Sequence, residues 1–413
     1  MEPWAVPEVG VAVTDVARRL SPVACRLKAL ALLCALLAQP AFGGVLAEDR
    51  ADLLLHRYDG GGIEIDGPSV LVRKKFGESF AASANFYMDM VSSASIDVQL
   101  TASPYEEERT QYGGTFEYLR NKSTYSAGFV NSEESDYEAN MAYVAVSQDL
   151  FGDLTTISMS YKRGWDDVFR NVRQPSGALE RDLTFGDRLD RRGYGVGLTQ
   201  VLTRNMILGA NYEVITDEGF LNNPYRSVRF EDPTSARGYS FESEIYPRTR
   251  TSNAMSVRLK RFLPWRGAAD VSYRFYTDTW GIQAHTAEVG YTHPVWRRWT
   301  FDGKVRFYRQ DAADFYGDLF PRRAFANFLA RDKELATFNS VTVGAGAAYD
   351  FSIARLPWVQ KSTLSARYDR LMISYDDFRN ATLTDPANGI VAGAEPLYEL
   401  NASIIQLFVS IWF

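Results

Sequence analysis

Cysteine and histidine, the side chains most often used for metal binding and nucleophilic catalysis, are scarce in this chain of 413 residues. There are two cysteines, Cys25 and Cys34, and three histidines, His56, His285 and His293. Both cysteines lie in an N-terminal segment that we interpret below as a removable signal peptide. The remaining chain then has no thiol for disulfides, thiol redox chemistry or thiolate metal sites. We therefore expect no enzymatic activity, no metal site and no cofactor.

The three histidines are not arranged as a site. His285 and His293 are eight residues apart and share one face of a strand with Ala287 and Val289. At ~3.4 Å per residue the two imidazoles are ~27 Å apart, too far to share a metal ion. Their face is apolar, which places both on the outer surface of the sheet. His56 is the remaining candidate for acid–base chemistry, and no matching Ser or Asp motif accompanies it.

Charged side chains offer a different chemistry, because charges that line a passage orient and filter polar solutes. The basic ones concentrate in the C-terminal half, from about residue 258, so we expect a basic wall across from Glu117 and Glu213. The alternative is that the charges pair with one another, for example Asp270 with Arg274, and simply fill the interior. The charged residues predicted to line the lumen are Lys162, Glu213, Arg258, Lys260, Asp270, Arg274, Asp302, Lys304, Arg306, Arg367 and Asp369.

The elements that must position these charges are long strands. Met255, Val257 and Leu259 alternate with polar residues, and this period of two recurs along the chain over segments of ~10 residues. Soluble strands usually have ~5–6 residues, whereas strands that cross a membrane need ~9–11. Tyrosines and tryptophans cluster at the segment ends, where amphipathic rings suit the membrane interface. These features predict an all-β fold, a transmembrane antiparallel outer-membrane β-barrel over residues 68–413.

The connections between segments alternate between tight turns and longer loops, which predicts short periplasmic turns and long extracellular loops. Counting from Ser69 gives an odd number of strands, which cannot return both termini to the same side. We therefore predict one further strand at Asp52–Tyr58, within an N-terminal segment 44–67 that also contains turns at Gly60–Gly62 and Asp66–Pro68. The predicted total is 16 strands, with 14 as the alternative. The long loops are expected at 92–108, 131–136, 164–190, 217–248, 278–283, 311–336 and 375–397.

Composition excludes several other classes of protein. The formal net charge is -6, so no global basic field exists to hold nucleic acid. The chain is 46% hydrophobic and 23% charged, which differs from a disordered chain. A helical membrane protein would need spans of ~20 consecutive apolar residues. We expect no nucleic-acid partner.

Residues 1–43 have the order of a secretory signal peptide with an unusually long n-region. Arg26 and Lys28 precede an apolar run, Ala29–Ala38, which is followed by small residues at the spacing of a cleavage site. This run is too short to cross a bilayer as a helix. The alternative is an amphipathic helix retained in the mature protein. With the barrel pattern, the signal peptide predicts the outer membrane of a Gram-negative bacterium.

The C-terminal residues alternate to form one apolar face, and the chain stops on an aromatic residue. In a soluble protein such a string would be an unpaired hydrophobic edge. It resembles the C-terminal signature by which the bacterial assembly machinery recognises outer-membrane barrels. We therefore expect that machinery, outer-membrane lipid and lipopolysaccharide as partners. The residues of this barrel-assembly signal are Ile405, Leu407, Val409, Ile411 and Phe413.

Two further patterns admit a functional or a structural interpretation. Gly193, Gly195 and Gly197 alternate on a strand with no helix after them, so we interpret them as small lumenal residues rather than a nucleotide loop. The stretches 222–229 with 246–250, and 315–323 with 331–334, mix arginines, carboxylates and aromatics. They could bind sugars, flavins or protein partners. They could equally build ordered loops that fold over or into the barrel, the interpretation we favour.

Several stretches resemble an uncharacterised family of bacterial outer-membrane proteins, known only as a domain of unknown function (number 3570). The resemblance covers essentially everything after the signal peptide. It implies a β-barrel and brings no assigned activity and no catalytic residues. Members are often encoded near a small lipoprotein, a thioredoxin-like protein and a flavin transferase, which implies a small lipoprotein partner and a link to extracytoplasmic redox assembly. The stretches are Tyr58–Gly62, Gly67–Lys74, Asp89–Asp97, Phe151–Thr156, Tyr225–Arg229, Tyr246–Asn253 and Ala330–Leu335.

Two functions follow from these patterns. The first is a porin-like channel that passes small polar or charged solutes through a charge-lined lumen. The second is a closed or plugged barrel that acts as a scaffold for a surface or periplasmic redox partner, linked to flavin or thioredoxin. Passage predicts a water-filled constriction near Arg258, Arg274, Arg306 and Arg367. A scaffold predicts loops packed into the lumen and an exposed surface patch for the partner.

Overall fold

The computed structural model describes residues 45–93, 105–174, 179–353 and 355–413. The predicted signal peptide and most of the predicted loop 92–108 lie outside these residues. No helix within them is long and apolar enough to cross a membrane.

Sixteen antiparallel strands form a closed barrel, which confirms the predicted fold class and the higher of the two strand counts. Two short hairpins, β8–β9 and β12–β13, lie in loops outside the barrel ladder. The strands are β1 (Arg50–Gly60), β2 (Ile63–Phe76), β3 (Phe80–Ser93), β4 (Tyr105–Arg120), β5 (Ser123–Glu134), β6 (Tyr137–Leu150), β7 (Thr155–Val168), β8 (Asn171–Arg173), β9 (Leu179–Arg181), β10 (Asp187–Thr203), β11 (Met206–Gly219), β12 (Ser227–Glu231), β13 (Tyr239–Ser243), β14 (Thr249–Phe262), β15 (Ala268–Asp278), β16 (Gln283–Val295), β17 (Trp299–Gln310), β18 (Phe338–Phe351), β19 (Lys361–Arg379) and β20 (Leu397–Trp412).

The barrel closes between its first and last strands. Arg50 lies opposite Trp412 and Gly60 opposite Ala402, so β1 pairs with β20 along its whole length. The strand predicted at 52–58 lies inside β1. The other edge of β20 pairs with β19, so this apolar strand has no open edge.

The turn predicted at Asp66–Pro68 is wrong, because β2 runs straight through it. Proline lacks an amide hydrogen, so the β2–β3 ladder skips Gly67 and Pro68 and resumes in the same register at Ser69. A Cβ on Gly67 would lie 1.9 Å from the Met88 carbonyl oxygen, so only glycine allows this close approach. Consequently the predicted barrel boundary at residue 68 falls within β2, and the barrel ladder begins at Arg50.

The two ends of the barrel differ in their connections. One end, the turn end, has connections of two to five residues, except for 352–360. The other, the loop end, carries the long connections 94–104, 169–186, 220–248, 311–337 and 380–396. The long loops predicted at 131–136 and 278–283 are in fact tight, because β5 continues to Glu134 and β16 begins at Gln283.

The outer surface of the barrel is apolar across its middle. Side chains such as Val196, Met255 and Val289 face outward and are more than half exposed. Aromatic side chains border this belt at the turn end, where the Trp265 indole donates to the Tyr291 hydroxyl at 2.9 Å. An exposed apolar belt around a closed sheet with aromatic borders is the surface of a membrane-spanning barrel.

Candidate functional site: a charged lumen beneath a loop cap

The charged residues predicted to line the lumen all lie on the inward face of the barrel. Arg258 follows the outward Val257, and the pairing of β14 with β15 places Lys260 opposite Asp270 on the same inward face. The same alternation on β17 and β19 turns Phe307 and Tyr368 outward and the neighbouring charges inward. Conversely, the barrel-assembly residues Ile405, Leu407, Val409 and Ile411 face outward.

Four inward residues on β17 and β19 form one ion-pair network. The Lys304 ammonium lies 3.3 Å from Asp369, and Arg367 bridges Asp369 at 3.5 Å and Asp302 at 2.9 Å. Lys304 and Asp369 are buried. These charges therefore partly neutralise one another, as the filler alternative predicted.

Glycines on the intervening strand β18 make this network sterically feasible. Gly344 lies between Lys304 and Asp369 in the register, and Gly346 lies between Asp302 and Arg367. A Cβ on Gly344 would lie 1.8 Å from the Asp369 carboxylate. Sequence reasoning missed this role, although the alternation of Gly344 and Gly346 between two charged strands was the available signal.

The same arrangement recurs at β10, which lies between β7 and β11. The Lys162 ammonium donates to Glu213 at 3.0 Å across Gly193 and Gly195. A Cβ on Gly195 would lie 2.6 Å from the Ser160 hydroxyl. These glycines are thus lumenal residues that make room for a longer neighbour.

A third ion pair joins β14 to β15. Arg258 donates to Asp270 at 2.8 Å. Asp270 therefore pairs across strands with Arg258, and the suggested pairing of Asp270 with Arg274 is not what the structure shows. The Arg274 guanidinium lies instead 5.6 Å from the ring centre of Tyr276. Arg258 and Asp270 are only half-buried, so water reaches this part of the lumen.

The turn half of the lumen has two unlike walls. In a closed barrel of sixteen strands, strands eight positions apart lie opposite, so β17–β19 face β5–β7. The inward residues of β5–β7 near the turn end are mostly small and half-buried, as at Ser126, Gly128 and Ser160. The wall β14–β19, of which β17–β19 lie opposite β5–β7, carries seven basic and five acidic inward side chains in this half, which are Arg258, Lys260, Arg274, Lys304, Arg306, Lys361 and Arg367 against Asp270, Glu288, Asp302, Asp350 and Asp369.

Glu117 and Glu213, the acidic residues expected to face this basic wall, each form an ion pair with another basic residue. Glu117 on β4 does lie across the lumen, but Arg73 binds it through both guanidinium nitrogens. Glu213 is on β11, which is adjacent to β14, and it binds Lys162. The charged wall therefore faces the small residues of β5–β7 and the neutralised Arg73–Glu117 pair rather than an acidic wall.

The loop half of the barrel interior is filled with side chains. Aromatic and aliphatic residues from β1, β2 and β16–β20 pack there around Tyr58, Phe338 and Leu371. On β10 and β11, in the same half of the barrel, Arg191 and Asp217 form an ion pair at 2.5 Å with almost no solvent exposure. The lumen is therefore open to water in its turn half and packed in its loop half.

Three loops, 220–248, 311–337 and 380–396, form a layer over the loop end that we call the loop cap. Arg229 joins all three: it donates to Glu395 at 2.5 Å and to the Asp318 carbonyl at 2.9 Å, and it is fully buried. Arg331 donates to Asp318 at 3.0 Å and lies over the ring of Phe378. The mixed loops noted in the sequence are therefore ordered parts of a cap, which is the interpretation favoured above.

The cap contains a buried carboxyl group that should respond to pH. Burial raises the pKa of Glu244 from 4.5 to about 7, helped by nearby Asp332 and opposed by Arg226 and by hydrogen bonds from Tyr246 and the Arg331 amide. Between these values the folded cap holds a proton that the unfolded loop lacks. This contribution to stability is fully present below pH 4.5 and is lost as the pH rises through 7.

We therefore expect the cap to open more readily at pH 8 than at pH 5, and the variant Glu244→Gln to lose that difference. The rate of limited proteolysis within 220–248 measures the opening. Glu231→Gln, on an exposed side chain of the same loop, is the control at each pH. Equal pH dependence in both variants would contradict the assignment to Glu244.

His56 belongs to a buried cross-strand cluster. Its Nε2 lies 2.8 Å from Asp89, whose carboxylate also pairs with Arg109 at 2.7 Å, and its ring stacks on Tyr87. These partners come from β3 and β4, so no local motif in the sequence could reveal them. Because His56 and Asp89 are buried, the cluster is closed to solutes in this conformation. His285 and His293 lie on the outer face, as predicted.

Among the residues that the structure describes, one group of carboxylates could hold a cation. Glu107, Glu134 and Asp136, near the loop end, each place a ligand oxygen within 4.8 Å of the others. Carboxylate oxygens suit hard cations such as Ca²⁺. Ser135 already donates to Glu107 at 2.9 Å, so the group also has a structural role.

The closed sixteen-strand ladder, the apolar outer belt and the charged interior define a transmembrane β-barrel of the outer-membrane type. Residues 96–376 match the model of the family described as "Protein of unknown function (DUF3570)", and the chain belongs to this family. This confirms the resemblance noted in the sequence. No curated protein matches the chain.

Solved barrels resemble the chain at low sequence identity. A bacterial polysaccharide outer membrane secretin is 9% identical with a TM-score of 0.46, covering 89% of this chain and 100% of its own. A FadL homologue of Pseudomonas aeruginosa is 10% identical with a TM-score of 0.43, covering 89% and 91%. OmpT of Vibrio cholerae is 9% identical with a TM-score of 0.40, covering 91% and 99%. Such likeness says nothing about function.

Proposed function

We propose that the protein is a porin-like channel of the bacterial outer membrane that passes small polar solutes and prefers anions. The observation that carries the proposal is the excess of basic over acidic side chains on β14–β19, whose strands β17–β19 lie opposite the small, half-buried residues of β5–β7. A net positive wall beside water raises the local concentration of anions. The channel works without covalent chemistry, and the loop end faces outside, as in other barrels of this type.

The loop cap makes this channel a gated one. Its three loops cover the loop end, and the packed loop half below them leaves the turn half as the water-accessible vestibule. Passage then requires the cap to move and the packed side chains below it to part, and the contacts of Arg229 must break for the cap to move. The packed cap is also compatible with the scaffold hypothesis, and the recordings described next distinguish the two.

Single-channel recording in a planar bilayer tests the proposal with refolded mature protein. We expect anion-selective steps whose anion-to-cation permeability ratio falls severalfold in the triple variant Arg258→Gln, Arg274→Gln, Arg306→Gln, because the wall loses its net positive charge. The matched control is Arg261→Gln with Arg309→Gln, which removes outward arginines from β14 and β17.

Two outcomes would contradict the proposal. Folded protein that shows no steps at any voltage would favour the scaffold. Steps whose selectivity is the same in the triple variant and in the wild type would show that the lumenal arginines do not filter the solute.

A further inference from the structure

Two arginines face each other on the outer surface of the barrel. Arg163 on β7 lies directly opposite Arg192 on β10 in the antiparallel register. Both follow the outward alternation of their strands and are exposed. Like charges placed directly opposite on neighbouring strands destabilise a sheet.

Nearby side chains compensate this repulsion poorly. The closest carboxylate to Arg163 is Asp190, at 3.9 Å, and more than half of each of these two side chains is exposed. Arg192 makes no hydrogen bond or ion pair within the described part of the chain. By contrast, the neighbouring outward Arg188 donates to Asp167 at 3.1 Å. The pair at 163 and 192 therefore keeps guanidinium donors free for an external anion.

The height of the pair matches the edge of the apolar belt. Tyr161 and Tyr194, whose ring centres are 5.3 Å apart, are the next outward pair toward the turn end. From the outward Leu202, near the turn end, to Arg192 is ten residues, or ~33 Å of strand, which at a tilt of ~40° spans ~25 Å. That equals the typical height of the apolar band of a barrel, so the arginines lie at the interface of the loop-end leaflet.

We propose that Arg163 and Arg192 bind a phosphate group of lipid A, the anionic lipid of the outer leaflet. This inference rests on the outer-membrane location and orientation proposed above. Guanidinium groups bind phosphate oxygens through paired N–H donors, and one phosphate between two arginines replaces their repulsion with two attractions. The tyrosines below them would lie against the first carbons of the acyl chains.

The test measures binding of lipid A to the full barrel in neutral detergent, by native mass spectrometry and by the rise in unfolding temperature. Bisphosphorylated lipid A should bind the wild type, and Arg163→Gln with Arg192→Gln should weaken binding by about tenfold or more. Arg261→Gln is the matched control, because it removes an outward arginine at the opposite edge of the belt. Both variants must migrate as folded barrels before heating.

Further arms identify the source of the phosphate. Dephosphorylated lipid A should bind the wild type as weakly as bisphosphorylated lipid A binds the double variant, and millimolar inorganic phosphate should not displace the lipid. Equal binding by the double variant, equal weakening in Arg261→Gln, or displacement by inorganic phosphate would each overturn the proposal. The assay needs no passage through the lumen, so its failure leaves the channel proposal standing, and a silent channel leaves the lipid site standing.

Discussion

Replacing Arg229 by alanine should loosen the loop cap and raise the time-averaged conductance of a single channel severalfold, because the channel would be open for more of the time. The change would leave the Glu395 carboxylate buried within the cap without its guanidinium partner, and Asp318 with Arg331 alone. Breaking a buried ion pair by removing one partner costs ~3–5 kcal/mol. At 1.4 kcal/mol per power of ten, the population of the open cap would rise by roughly two to four powers of ten.

The Arg229→Ala variant can be compared with two matched variants. Arg237→Ala removes an exposed arginine from the same loop and should leave conductance and proteolysis unchanged. Arg229→Lys keeps a positive charge but cannot bind both carboxylates with a planar guanidinium group. Its conductance and its rate of proteolysis should therefore lie between those of Arg229→Ala and Arg237→Ala. Rapid proteolysis of the loops without any gain in conductance would show that the cap is not the gate.

Replacing Asp369 by alanine is expected to lower the free energy of unfolding by ~3–5 kcal/mol, the second large effect. Asp369 is fully buried. Its loss would leave the buried Lys304 ammonium without its carboxylate partner and Arg367 with Asp302 alone. Unfolding in urea, with the barrel held in lipid vesicles, provides the measurement. Asp190→Ala, on an exposed outward side chain, should change the stability by less than ~0.5 kcal/mol.

A double variant tests whether the loss comes from the unpaired charge. Lys304→Met combined with Asp369→Leu removes both charges and keeps the volume approximately constant. Replacing a buried pair with apolar residues of similar size is often neutral. We therefore expect the double variant to be more stable than Asp369→Ala, and the reverse order would contradict the role given to the pair.

The strands could be predicted from the sequence because one face of each is exposed to an apolar environment. That condition imposes the alternation seen at Met255, Val257 and Leu259. The same alternation places every predicted lumenal charge on the inward face. It also fixed the outward position of His285 and His293. Alternation gives the face of a residue and not its partner, which is why the pairing of Asp270 with Arg274 was wrong.

Partners across strands depend on register and on what the intervening strand permits. The link from Lys304 to Asp369 requires a glycine at 344, and the link from Lys162 to Glu213 passes over Gly193 and Gly195. Register is set by the turns and by contacts over the whole sheet, so a period of two cannot reveal it. The contacts that join the three loops of the cap could not be predicted for the same reason, because Arg229 and Glu395 are 166 residues apart.

One turn was predicted wrongly from residue types that are common in turns. The residues Asp66, Gly67 and Pro68 are typical of a turn. Here the neighbouring strand tolerates a missing amide and needs the close approach of a glycine backbone. A local signal for chain reversal was therefore overridden by pairing on both sides of β2.

The seam between β1 and β20 has a consequence for the order of assembly. The other fifteen strand pairings join neighbours along the barrel sequence, whereas this one joins Gly60 to Ala402. Closing so long a stretch of free chain would cost ~4–5 kcal/mol more entropy than a two-residue hairpin. The seam is therefore favourable only after the hairpins have curved the sheet and brought its ends together. Until then β1 and β20 have open hydrogen-bonding edges, and β20 also has an apolar face. Both edges must be protected from pairing with other chains until the barrel closes.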